Sequence, residues 1–197
     1  MISLLLAATL KMTTPPQLTC AELKPPEVSA LASKDTKVTL NLEKTSLDRV
    51  FEALGEKVGF KPTFRGYTPI VTVAYQESAL TQVLDDLASR FGLAIRNVGP
   101  DRLQVRAGAT AGVGGVGVPE GKERTPPAPV PGLAGKVVLY ALICEDGSVQ
   151  ALTEAPGSDE PRLVQPAIDA VRRWTYLPAQ KDGKPVAVAM TVIVTFR

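Results

Sequence analysis

Leu47-Asp-Arg-Val-Phe-Glu-Ala-Leu-Gly-Glu-Lys-Val-Gly59 carries the clearest periodicity in the chain. Leu47, Val50, Phe51, Leu54 and Val58 fall at i, i+3, i+4, i+7 and i+11, which is one apolar stripe of an α-helix. Thr45 or Ser46 supplies the N-cap. Gly59 supplies the stop, since glycine takes the left-handed conformation that closes a helix. Upstream, Val38, Leu40 and Leu42 alternate with Lys37, Thr39 and Asn41, the period-two pattern of a strand. Downstream, residues 60–64 form a short strand and residues 66–69 a turn.

The same pattern returns 33 residues later. Ile70, Val71, Val73 and Tyr75 make a strand. Leu80, Val83, Leu84, Leu87 and Phe91 repeat the helix stripe, with Ser78 as cap and Gly92 as stop. Leu93 and Ile95 begin the next strand. Gly99-Pro-Asp101 turns the chain, and Leu103 and Val105 supply a last strand. A 33-residue period also suits an ankyrin array, but each unit here is one helix plus strands, and two copies are too few for a solenoid. Residues 36–106 therefore read as a β-α-β repeat folded into one small α+β domain.

A second α+β unit spans residues 135–197. Val137, Leu139, Ala141 and Ile143 line one face of a strand. Val138, Tyr140, Leu142 and Cys144 line the other, which is also apolar. Asp146-Gly147 is a hairpin signal, and residues 149–152 return as the second strand. Leu163, Ala167, Ile168, Val171 and Trp174 form a helix face. Val186, Val188, Met190, Val192, Val194 and Phe196 alternate through a long final strand, giving the order β-β-α-β.

Between the two units, residues 107–134 are rich in glycine and proline and read as a linker, flexible in its first half and polyproline-like in its second. Gly112-Val-Gly114-Gly-Val-Gly117 matches the dinucleotide fingerprint literally, but no helix follows to receive a pyrophosphate. Residues 1–35 read as a signal-like segment and a disordered lead-in. The apolar run 2–10 has the length of a signal h-region and is too short to span a bilayer, and no other stretch approaches that length.

Composition narrows the function classes. The 197 residues carry a net charge of +2, without the basic patch of a nucleic-acid binder. There is no histidine, which removes the commonest general base and the commonest metal ligand. Only Cys20 and Cys144 offer thiols, so neither a metal nor a cofactor is expected. Cys144 reads as a small buried side chain. Its pairing with Cys20 is the lesser reading, because it would tie a tail to a core strand. Lipidation of Cys20 is disfavoured by Gln17 and Thr19 before it. Asp85-Asp86 are adjacent and do not share a helix face, so they read as solvated surface.

Residues 39–60, with Ser78-Ala-Leu-Thr-Gln-Val-Leu-Asp-Asp-Leu87 and Phe91-Gly-Leu93, resemble the short N-terminal domain shared by secretins and TonB-dependent receptors. Residues 135–197 resemble the TonB C-terminal domain. The residues that carry this are Asp146-Gly147-Ser-Val149, Ala167-Ile168, Ala170-Val-Arg-Arg-Trp-Thr-Tyr-Leu-Pro178 and Gly183-Lys-Pro-Val186.

These resemblances imply a non-enzymatic adaptor in the periplasm or cell envelope of a Gram-negative-type bacterium. Its partner would be the plug of an outer-membrane TonB-dependent receptor, or a secretin-type protein. A structural scaffold for a secretin or cell-wall-associated assembly is the alternative. Complete TonB proteins carry a membrane helix with a histidine that the motor requires, so energy transduction by this chain alone is not expected. If the last strand pairs with the first, its other edge is free for a partner strand, unless a second copy in a homodimer or the Pro-rich linker covers it. Val188, Met190, Val192 and Val194 are then expected to flank the added peptide, with Arg172 and Arg173 available to an acidic partner loop. Trp174 and Tyr176 read as core anchors. Which of Ile193 and Val194 turns its backbone outward is open.

Overall fold

The computed structural model describes residues 17–26, 28, 31 and 36–197. The signal-like run of residues 2–10 lies outside them. The N-terminal lobe comprises β1 (Lys37–Ser46), α1 (Leu47–Val58), β2 (Lys61–Arg65), β3 (Ile70–Ala79), α2 (Leu80–Phe91), β4 (Ala94–Gly99) and β5 (Arg102–Arg106). The two β-α-β copies are related by an internal two-fold. β1 and β3 pair antiparallel with Asn41 opposite Ala74 at the centre, and the pair Lys37–Ala79 maps onto Ser46–Ile70 under the 33-residue shift. Each strand shows the same succession of exposed and buried positions. Both helices end on a left-handed glycine, Gly59 and Gly92.

Helix initiation matches the sequence expectation in place at Ser46 but not at Ser78, and not in mechanism. The N-caps are Ser46 and Ala79, and neither helix has a side-chain cap. Ser78 instead turns its hydroxyl to the carbonyl of Gln76. The first amide of each helix is satisfied by backbone across the ribbon: Leu47 donates to Pro69 at 2.9 Å and Leu80 to Thr36 at 3.0 Å. Those two bonds are also related by the two-fold. β5 breaks the symmetry by entering between β2 and β4, parallel to the first and antiparallel to the second. The core beneath includes Leu47, Phe51, Leu54, Leu80, Leu84, Leu87 and Leu103, all fully buried.

The C-terminal lobe is a four-stranded sheet in the order β6-β13-β8-β9, from β6 (Ala109–Thr110), β8 (Gly135–Ile143), β9 (Val149–Glu154) and β13 (Val188–Phe196). Asp146-Gly147 makes the expected β8–β9 turn, with the Asp146 carboxylate accepting from the Ser148 amide. α3 (Val164–Val171) follows a single 3-10 turn at Pro161–Leu163 and packs on β8 and β9. Leu163, Ala167, Val171, Trp174 and Tyr176 join Val137, Leu139, Ala141 and Ile143 in its core. Trp174 and Tyr176 are thus placed as core anchors.

The segment read as a linker is folded. β6 adds to β13, β7 (Glu120–Glu123) pairs with β10 (Thr175–Leu177), and β11 (Gln180–Lys181) and β12 (Lys184–Pro185) form a short hairpin before β13. Val116 is buried against Ala179, Val186 and Val188. The indole of Trp174 donates to the carbonyl of Thr125 at 2.7 Å. The glycine-rich run forms turns, with positive φ at Gly112, Gly114 and Gly115, and leads into β7 rather than a helix. A glycine- and proline-rich composition suits a flexible tether, but a few well-placed apolar side chains and backbone pairs suffice to order it.

The two lobes pack together. The second apolar face of β8 supplies Leu142, which lies with Ala151, Ala187 and Ala189 against Tyr67, Leu23 and Cys20. Tyr140 donates to the carbonyl of Ile70 at 3.0 Å. Residues 17–26 cross both lobes, contrary to the reading of a disordered lead-in. Leu18 is buried, and Cys20 is disulfide-bonded to Cys144. Glu22 pairs with Arg106 at 2.6 Å and Arg96 at 3.5 Å. The disulfide uses the sulfur that a lipid anchor would need. No described helix is long and apolar enough to cross a membrane.

Candidate functional site: the outer edge of the last strand

β13 pairs with β8 without interruption from Val188–Ile143 to Phe196–Gly135. The orientation of its backbone follows from its other neighbour. Ala109 donates to the carbonyl of Ala187, and Ala111 to that of Ala189. Odd-numbered residues therefore point their N–H and C=O groups away from β8, and even-numbered residues point theirs into the ladder. Thr191, Ile193 and Thr195 present their backbone groups on the open edge, which answers the question left by the sequence. Ile193 is the outward residue and Val194 the inward one.

β6 covers the start of this edge. At the other end, Pro126, Pro127 and Pro129 share a shallow groove with Thr195, Phe196 and Arg197. The uncovered length is thus Thr191 to Thr195, about 17 Å at roughly 3.4 Å per residue. Ile193 is 61% exposed, the largest exposure among the big apolar side chains of the described residues, and faces Val138 across the ladder. Its neighbours Thr191 and Thr195 are exposed as well.

The residues expected to flank a bound peptide are placed differently. Val188, Val192 and Val194 are buried under their own lobe, and Met190 is half-buried on the same face. They form the core floor of the strand, not a free contact surface. The accessible side chains are those of the other phase, Thr191, Ile193 and Thr195. Period-two alternation contained that signal: in a half-buried strand the apolar phase goes inward, so the other phase meets a partner. Arg172 and Arg173 are exposed at the C-terminal end of α3, where cations suit the helix dipole. That helix lies on β8 and β9, so the arginines and the β13 edge are not presented by one element.

Arg124 lies over the rings of Trp174 and Tyr176, at 5.6 and 5.3 Å. Burial raises the Tyr176 phenol above its ordinary value, and the Arg124 charge only partly offsets that. Cys20, Cys144 and Glu145 bring three potential metal donors within 4.8 Å of one another. The two sulfurs are bonded to each other, and the Glu145 carboxylate accepts from the Cys20 amide at 3.1 Å. This donor set does not fit a metal in its oxidised form.

Residues 128–197 match the family described as Gram-negative bacterial TonB protein C-terminal. No curated protein matches the chain. The solution NMR structure of the Pseudomonas aeruginosa TonB CTD is similar at 21% identity, over 46% of this chain and 93% of that one, with a TM-score of 0.34.

Proposed function

We propose that this chain is a non-enzymatic, TonB-like protein of the Gram-negative cell envelope whose C-terminal lobe captures an extended segment of a partner protein. The observation that carries this reading is the open backbone edge at Thr191–Thr195, within the segment that matches the TonB C-terminal family. An unpaired strand edge offers a fixed row of donors and acceptors that any extended peptide can meet. The partner is the plug segment of an outer-membrane TonB-dependent receptor. A disulfide suits an oxidising compartment, and a chain without histidine suits a binding role over acid–base catalysis. The N-terminal lobe, with its duplicated β-α-β unit, serves as a second protein-contacting module of the secretin and receptor short-domain type.

The test is peptide binding followed by calorimetry. Ile193→Pro removes an outward amide, so it should abolish binding of receptor-plug peptides while the protein still melts cooperatively. Val194→Pro removes a ladder amide and should lower stability instead. Parent-like binding by a folded Ile193→Pro variant would defeat strand addition here. Concentration-dependent mass without peptide binding would assign the edge to a homodimer, and capture of secretin alone would favour the scaffold reading.

A further inference from the structure

We infer that β6 is an internal competitor for the binding edge, so that this chain regulates its own strand-addition site. The inference rests on the strand-addition reading above. Three observations carry it. First, β6 occupies the position a partner strand would take, parallel to β13 with Ala109 opposite Val188 and Thr110 opposite Ala189. Second, its hold is slight. Ala109 donates to the carbonyl of Ala187 at 3.1 Å, and Ala111, one residue past β6, donates to that of Ala189 at 3.5 Å, the limit of a hydrogen bond. Third, what keeps it there is the turn that follows. Val116 buries itself against Ala179, Val186 and Val188, and Gly117 donates to the carbonyl of Gln180 at 2.8 Å.

The consequence is a length rule. A segment of about five residues fits the window from Thr191 to Thr195 without disturbing β6. A longer segment extended past Thr191 meets Ala109–Thr110 and must displace them. β6 follows directly on β5 of the N-terminal lobe, with Ala107 donating to the carbonyl of Arg65 at 2.8 Å. Displacing it therefore reaches the other lobe, and a long peptide is read by both lobes where a short one is read by a single strand.

The experiment uses the full chain and synthetic peptides of five and ten residues taken from one receptor-plug segment. Ala109→Pro removes the shorter of these two bonds. Val116→Ala loosens the turn without touching the edge. Both variants should bind the ten-residue peptide about five- to tenfold more tightly than the parent, the range expected for one or two weak hydrogen bonds no longer competing. The five-residue peptide should bind all three proteins alike. Equal or weaker binding of the long peptide by both folded variants would overturn the competitor role and leave strand addition standing. Failure of the parent to bind either peptide would overturn both.

Discussion

Lys44 and Glu77 occupy the same place in the two copies of the N-terminal repeat, and both are left-handed, with φ of 47° and 45°. Each stands at a register shift of the β1–β3 ribbon, and each amide is taken by a threonine hydroxyl across it. Lys44 donates to Thr72 at 3.2 Å and Glu77 to Thr39 at 3.1 Å. A bulge leaves an amide without its ladder partner, and the threonine supplies one. Thr39→Val and Thr72→Val keep the shape and remove the acceptor. Each should cost about 1 kcal/mol in urea unfolding, with Thr39→Val the costlier, because the Thr39 hydroxyl also donates to the Glu77 carboxylate at 3.1 Å. A larger loss in Thr72→Val would show that this extra bond contributes nothing.

The two helix-ending glycines separate the lobe interface from backbone strain. A Cβ on Gly59 would meet nothing within 4 Å, whereas one on Gly92 would lie 2.7 Å from Leu142 and 3.1 Å from Ala151. Both are left-handed, so Gly→Ala carries a similar conformational cost of about 1 kcal/mol at either site. Gly92→Ala should cost about 1–3 kcal/mol more, the usual range for overpacking. Equal stability losses in the two variants would mean that Leu142 does not hold the lobes together.

Much of this was legible in the sequence because it is local. The stripes of α1 and α2, the stops at Gly59 and Gly92 and the alternation of β13 depend on neighbours a few residues away. Val192 and Val194 lie on the buried phase of β13, as the alternation implies for an apolar phase, so a partner meets the other phase. The lobe packing had one signal, the double apolar face of β8. Val138, Tyr140, Leu142 and Cys144 would be a liability in an independent domain, and in the structure part of that face is where the other lobe rests. The Cys20–Cys144 bond was harder to foresee, since it joins residues 124 positions apart through contacts no periodicity encodes.

That bond should contribute strongly to stability. Cross-linking across so long a loop restricts the unfolded chain, worth roughly 4–5 kcal/mol on the loop-entropy account. Cys20→Ser with Cys144→Ser should lower the unfolding free energy by about 3–5 kcal/mol, and a dithiol reductant should do the same to the parent alone. Superimposable urea curves for oxidised and reduced protein would remove the disulfide from the list of what holds residues 17–26 in place.

Glu22 makes the same segment sensitive to acid. Burial pushes its carboxyl up, but the Thr19 amide and the Arg106 guanidinium outweigh that and leave it below its usual 4.5. Its folded value is depressed, so the stability it contributes is present above about pH 4.5 and lost as pH falls through the folded value. Glu22→Gln should therefore cost about 1 kcal/mol at pH 7, the low end for a bond to a charged group. The cost should shrink to nothing as pH drops below the carboxylate range. A pH-independent difference would point to side-chain packing rather than the ion pair with Arg106 and Arg96.

Protease sensitivity reports on the segment between the lobes. Lys122 and Arg124 are exposed, and in a flexible tether both would be cut at once by trypsin. Here Lys122 lies in β7, paired with β10, and Arg124 rests over Trp174 and Tyr176 beside the Trp174–Thr125 hydrogen bond. A protease needs an extended, unpaired stretch around its cleavage site, so cutting must wait for local opening. Trp174→Phe keeps most of the apolar area and loses the donor to Thr125. It should speed cleavage at Arg124 by about tenfold, the effect of roughly 1.4 kcal/mol on a local opening equilibrium. Thr191→Ala, at an exposed position of β13 opposite Tyr140 and outside the groove that holds Pro126, Pro127 and Pro129, should leave the rate unchanged. Rapid cleavage of the parent at both sites, with two resistant fragments and no response to Trp174→Phe, would restore the flexible linker and with it two independent domains.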